Sequence, residues 1–147
     1  MLAGSYGERD ALIEIDCAKF CPDVRICCTE TEMTVTREDA KRIDALGYSR
    51  EDYLVRVTGG FCELRNIDGC CYFYNPKEKT CRIYEARPEG CRWYPVIYHS
   101  GKRKCVRDND CPAIETLSRD DIRKVCYKVR SLVEKLREEA LHNESPC

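Results

Sequence analysis

The residues of this chain that could do chemistry are its thirteen cysteines, set among 147 residues. Soft thiolates select zinc, copper(I) and iron–sulfur centres, and a closed zinc site takes four ligands in a tetrahedron. Cys17 and Cys21 are spaced so that one loop can bring both to one ion, and Cys27-Cys28 follows after five residues. Adjacent cysteines tend to point apart, so Cys27 and Cys28 suit two neighbouring centres, or two sides of a cluster, better than one zinc. In the second half Cys71, Cys81, Cys91 and Cys111 recur at intervals of ten, ten and twenty. These eight are the candidate ligands, and four plus four thiolates suffice for two closed four-coordinate sites.

Thirteen cysteines in 147 residues is a density otherwise typical of secreted disulfide scaffolds. That alternative is disfavoured on compartment grounds. The N-terminus has no basic start, apolar run or cleavage pattern of a signal peptide. No stretch approaches the roughly 18 apolar residues that span a bilayer, and the cysteine count is odd. The expectation is a cytoplasmic chain with reduced thiols, for which metal is the usual reason. Cys62, Cys70, Cys105, Cys126 and Cys147 are then surplus. Cys126 falls on the apolar face of a helix and reads as a buried structural thiol. Cys147 lies on a fraying tail and reads as free, while Cys70 or Cys105 can substitute for a neighbouring ligand. His99, before a turn, and His142, on the tail, read as surface residues.

The 25 basic and 26 acidic residues nearly cancel, leaving a formal charge of -1. Nothing in that balance calls for nucleic acid or an acidic membrane. Eight bare thiolates would take the charge to about -9, and two divalent ions would return it to about -5. Arg82, Arg87, Arg92, Arg103 and Arg107 are available to donate to sulfur, although each alone reads as ordinary surface. No phosphate loop, zinc-protease helix or nucleophile elbow occurs. A catalytic role would have to rest on an open coordination position, so enzyme or binding protein stays undecided.

The elements that must position these thiols are short. A polar lead-in, residues 1–16, precedes the cysteine-rich loop, and Met33-Thr34-Val35 suits a strand. Thr36 and Asp39 form a capping pattern that starts a helix closed by Gly47. Ser49 and Asp52 repeat it for a second short helix ending before Gly59-Gly60. Residues 61–84 read as strands joined by turns, with Asp68-Gly69 a hairpin signal and Asn75-Pro76 the next break. A second hairpin turns at Ser100-Gly101. Pro88 suits the first turn of a short helix, Tyr84 reads as core, and Trp93 as core or as a shield for the centre. From Ser118 a long amphipathic helix presents Ile122, Val125, Cys126, Val129, Val133, Leu136 and Ala140 on one face. The expected fold is a small α+β domain organised by metal, with two short helices and a long C-terminal one. Its expected divisions are a lead-in (1–16), a cysteine-cluster domain (17–115) and a helix packed on it (116–147).

One segment carries a resemblance. Cys71-Tyr72-Phe73-Tyr74, then Cys81-Arg82-Ile83-Tyr84, Arg87-Pro88 and Cys91-Arg92-Trp93-Tyr94-Pro95, resembles the zinc- or iron-chelating cysteine-cluster family (YkgJ-like). The family pattern, C-x-I-Y-x-x-R-P-x-x-C-R-x-x-P, is matched at every fixed position. The first block departs, because five residues rather than two separate Cys21 from Cys27-Cys28. The resemblance covers roughly residues 17–112 and implies binding of zinc or iron. Some larger relatives are associated with lysine methylation of flagellin, where an iron–sulfur cluster is implicated. This chain lacks the cysteine spacing of radical-SAM enzymes and visible room for a substrate domain, so that activity is not carried over. Cys21-Pro22 and Cys111-Pro112 lean weakly towards an iron–sulfur centre, serving redox chemistry or modification of a protein partner. A nucleic-acid-binding zinc module is the less favoured alternative.

Overall fold

The structure is a computed structural model that describes residue 19, residue 21, residues 26–143 and residue 147. The expected lead-in and Cys17 lie outside the described residues. Thr36 opens helix α1 (Arg37–Asp44) with a reciprocal cap, its hydroxyl accepting from the Asp39 amide and the Asp39 carboxylate accepting from the Thr36 amide. Helix α2 (Arg50–Tyr53) is a single turn. It was expected to run to the Gly59-Gly60 turn. Instead the chain extends into strand β1 (Leu54–Arg56), which pairs antiparallel with β2 (Cys62–Leu64). The β-branched Val55 favours that outcome, and Arg65 holds the break by donating to the carbonyls of Glu51, Asp52 and Leu54.

Three further two-stranded ribbons follow: β3 (Asn66–Ile67) with β4 (Cys70–Cys71), β5 (Tyr74–Asn75) with β6 (Thr80–Cys81), and β7 (Val96–His99) with β8 (Lys104–Arg107). At the first turn Asp68 and Gly69 both take positive φ, +52° and +80°, as the Asp-Gly signal requires. Helix α3 (Glu89–Trp93) follows Pro88, and α4 (Arg119–Leu141) closes the described fold. Short antiparallel strands, short helices and one long C-terminal helix make a small α+β domain, as expected.

Two apolar clusters form. One gathers Ile43, Tyr53, Leu54, Leu64, Phe73 and Ile83 between α1 and the first ribbons. The rings of Tyr48, Tyr72 and Tyr53 pack around Phe73, with centroids 4.9, 5.1 and 5.3 Å away. The other seats Val125, Val129 and Leu132 of α4 on Trp93, Val96 and Leu117. Leu132 is buried more completely than the Val133 expected there, which is only part-buried. Tyr84, expected in the core, is 57% exposed, with the Arg87 guanidinium 4.1 Å over its ring.

The surplus cysteines correct a second set of expectations. Cys105 of β8 is bonded to Cys126 of α4, and Cys62 of β2 to Cys147, with Cα separations of 5.8 and 5.9 Å. Cys126 is therefore not a buried thiol and Cys147 is not free. The described residues of the tail have partners in the rest of the fold. The Asn143 side chain donates to the Gly60 carbonyl at 2.9 Å, and Arg50 donates to the Cys147 carbonyl at 3.2 Å. The end of α4 also meets the start of α1. Glu139 accepts from the Arg37 amide at 3.1 Å, where a helix N-terminus favours an anion, and Lys135 pairs with Glu38 at 2.7 Å. Gly60 is needed here, since a β-carbon on it would stand 2.5 Å from the Ala140 carbonyl oxygen.

Candidate metal centre

Four of the five surplus cysteines are consumed by disulfides, and Cys21, Cys27, Cys28, Cys70, Cys71, Cys81, Cys91 and Cys111 remain as thiols among the described residues. Seven of these are expected ligands, and Cys70 is the addition. The chain folds so that the two sequence blocks meet. Asn66 does much of this: its side chain accepts from the Thr31 amide at 3.1 Å and donates to the Thr31 carbonyl at 2.9 Å. Glu30 adds a backbone bond to Gly69 at 2.7 Å, and Thr29 bridges Cys70. The segment after Cys28 is thereby stitched along the β3–β4 hairpin, which sets the Cys27-Cys28 turn (Ile26–Cys28) beside the second block.

The electrostatics report the same neighbourhood. The Cys28 thiol is held strongly protonated, first by its hydrogen bond with Cys27, then by burial and the charges of Cys27, Cys71 and Cys81. Burial raises Cys91 well above the ordinary thiol value, and the charges of Cys27, Cys71, Cys81 and Asp39 add to it. Cys71 is pushed up to about 11, mainly by burial. Cys111 is raised by burial and then by the charges of Cys27, Cys21 and Asp108. Cys27, the exposed member, thus acts on thiols of both blocks. Crowded thiols of this kind resist losing protons one by one, because each new charge opposes the next.

Backbone amides counter that resistance. The backbone amides of Phe73 and Tyr74 beside Cys71, of Ile83 beside Cys81 and of Ala113 beside Cys111 each favour the thiolate. The Ile26 amide donates to the Cys21 sulfur at 3.4 Å. Donors aimed at sulfur satisfy the thiolate lone pairs that a metal does not, so this donor set fits a thiophilic ion such as zinc or iron. Among the described residues, no three thiols, imidazoles or carboxylates converge closely enough to enclose an ion.

The arginines divide. Arg87 lies near enough to Cys81 for its charge to favour that thiolate. Arg107 donates to the carbonyls of Ile114 and Leu117 at 3.2 and 3.1 Å, fastening the loop that carries Cys111. Arg82 donates to the Tyr72 carbonyl, and Arg92, buried, to that of Glu85. Arg103 sits in the β7–β8 turn, where its carbonyl accepts from Arg130. Trp93 is core, its indole N–H donating to Glu89 at 3.3 Å. The His99 ring accepts from the Lys102 amide in the same turn, and His142 is exposed just beyond α4. Asn66 escaped the sequence reading, since an Asn before Ile67-Asp68-Gly69 reads only as a strand edge.

No helix among the described residues is long and apolar enough to cross a membrane. Over 100 residues the chain is 34% identical to an uncharacterised protein of Methanocaldococcus jannaschii, covering 62% of this chain and 53% of that protein. It thus spans about half the length of that relative. No solved structure matches. Residues 16–112 match the family described as "CxxCxxCC: Putative zinc- or iron-chelating domain". The chain therefore belongs to the CxxCxxCC family of zinc- or iron-chelating domains.

Proposed function

We propose that the protein binds zinc or iron through a single pool of thiolates to which both sequence blocks contribute. Cys27, Cys28, Cys71, Cys81 and Cys91 make up its main part, with Cys21 and Cys111 on the flank that Cys27 also reaches. Cys17 is proposed to join them from outside the described residues. The observation that carries this reading is the set of backbone amides beside the sulfurs, Ile26 donating to Cys21 at 3.4 Å and others favouring the thiolates of Cys71, Cys81 and Cys111. Such donors serve a thiolate and do little for a buried thiol. A metal supplies the positive charge that lets the crowded sulfurs deprotonate together, and its binding releases their protons.

A cytoplasmic location belongs to the same proposal. The two disulfides do not oppose it by themselves, because intracellular proteins of some hyperthermophiles are rich in them. The reading is tested by anaerobic purification, metal and acid-labile sulfide analysis, and an optical spectrum of the same sample. Stoichiometric zinc in colourless protein supports the thiolate pool as a structural or carrier site. Iron with sulfide and a visible absorption band supports it as a cluster. Protein that holds no metal after reconstitution with either ion overturns it.

A further inference from the structure

Cys91 rides on α3, and Pro88, which heads that helix, has no side chain able to cap it. The cap comes from another helix. The Glu89 amide donates to Asp39 Oδ1 at 3.1 Å, and the same oxygen accepts from Arg42 Nη2 at 2.6 Å. That arginine nitrogen also donates to the Arg87 carbonyl at 3.2 Å. Asp39 and Arg42, one turn apart on α1, therefore grip the backbone on both sides of Pro88. Proline's fixed φ leaves little freedom between the two grips. The Cys91 amide then bonds to the Pro88 carbonyl at 3.0 Å, so the placement of Pro88 passes directly to Cys91.

Burying a carboxylate is costly unless it is paired and hydrogen-bonded, and Asp39 is 1% exposed. Its Oδ2 completes the account by accepting from the Thr36 amide at 3.1 Å. A helix cap alone needs only that last bond. The arrangement on Oδ1 spends a buried charge on holding one short segment, the one that delivers a thiol to the pool.

We propose that the Asp39–Arg42 pair is the positioning device for Cys91, fixing its helix for metal binding without either residue being a ligand. This rests on the thiol pool being a metal site. The full chain with disulfides intact is titrated with cobalt(II), reading the thiolate-to-cobalt absorption and competition with a chelator. Asp39→Ala weakens cobalt binding about 10-fold or more and lowers the absorption. Asp39→Asn keeps an oxygen for the Glu89 amide and stays nearer wild type, which separates positioning from charge. Arg42→Gln, which releases the Arg87 carbonyl and the ion pair with Asp39 but leaves the Glu89 amide its acceptor, falls between them and serves if Asp39→Ala does not fold. Val125→Ala, in the other apolar cluster, lowers the melting temperature and leaves cobalt affinity unchanged. The proposal is overturned if Asp39→Ala and Arg42→Gln bind cobalt as wild type does, or if Val125→Ala loses as much affinity as they do. If the wild-type chain binds no cobalt, zinc or iron, the metal reading has failed on its own. The clamp is then judged by amide exchange at Glu89 and Cys91: faster exchange in Asp39→Ala upholds it, and unchanged exchange refutes it.

Discussion

The thiol-bearing ribbons and the hairpin under α4 reach stability by different routes. β3 to β6 are two-residue strands, each paired once, and they carry Cys70, Cys71 and Cys81 as thiols. Isolated ribbons of that length are marginal in water. By contrast, β7 and β8 have four residues each, lie against a 23-residue helix, and are joined to it by the Cys105–Cys126 bond. One region has its cross-link built from its own sulfur. The other has thiols that are not joined, and in the proposed function a bound metal would supply the cross-link. The same residue type serves both purposes, and its partners decide which.

Metal removal should separate the two regions most sharply. With disulfides intact, a chelator should release amide protection by several kcal/mol or more across residues 66–91 and leave α4 largely protected. Hydrogen exchange followed by mass spectrometry reads this, and equal loss in both regions would break the contrast. Reduction is the converse perturbation. Replacing Cys62 or Cys105 by Ser should cost about 2–4 kcal/mol in denaturant unfolding. The Cys62–Cys147 bond closes 85 residues against 21 for Cys105–Cys126, so its loss should be the larger by about 1 kcal/mol on chain-entropy grounds.

Core truncation sharpens the same comparison. Phe73→Ala and Leu132→Ala should each destabilise by about 2–5 kcal/mol. Only Phe73→Ala should also weaken metal binding, because Cys28, Cys70, Cys71 and Cys81 pack in its cluster. The smallest effect is in pH. An ordinary thiol here titrates at 9.0 and Cys71 is pushed up to about 11, so the folded metal-free state holds that proton more tightly than the unfolded chain. Its stabilising contribution is complete below pH 9.0 and is lost as pH rises through about 11. Thermal melts of metal-free protein should fall across that window, whereas the metal-bound form should gain affinity as pH rises.

Much of the fold was legible in the sequence because local rules coincide with it. Thr36 with Asp39 and Ser118 with Asp121 cap helices as their spacing suggests, and Asp68-Gly69 turns the hairpin it announces. Spacing could not assign the cysteines between metal and disulfide. Cys62 and Cys147 meet only because the end of α4 returns to the start of α1, and no local pattern encodes that long-range contact. Cys126 sits at the helical period of an apolar stripe, so a half-cystine looks like a core thiol until β8 is placed beside it. Tyr84 departs from its expected place for a related reason: an aromatic between Ile83 and Ala86 suggests core, but the turn leaves it exposed beneath Arg87. The meeting of the two thiol blocks depends on Asn66, whose role is visible only once Thr31 lies opposite.

The most direct test of the central claim is alkylation of the metal-loaded full chain under non-reducing conditions, with modified cysteines mapped by mass spectrometry. The account predicts that metal protects thiols of both blocks together, Cys27 and Cys28 with Cys71, Cys81 and Cys91, and that a chelator exposes them as a group. Protection confined to one block, or no difference between loaded and chelated protein, would contradict it.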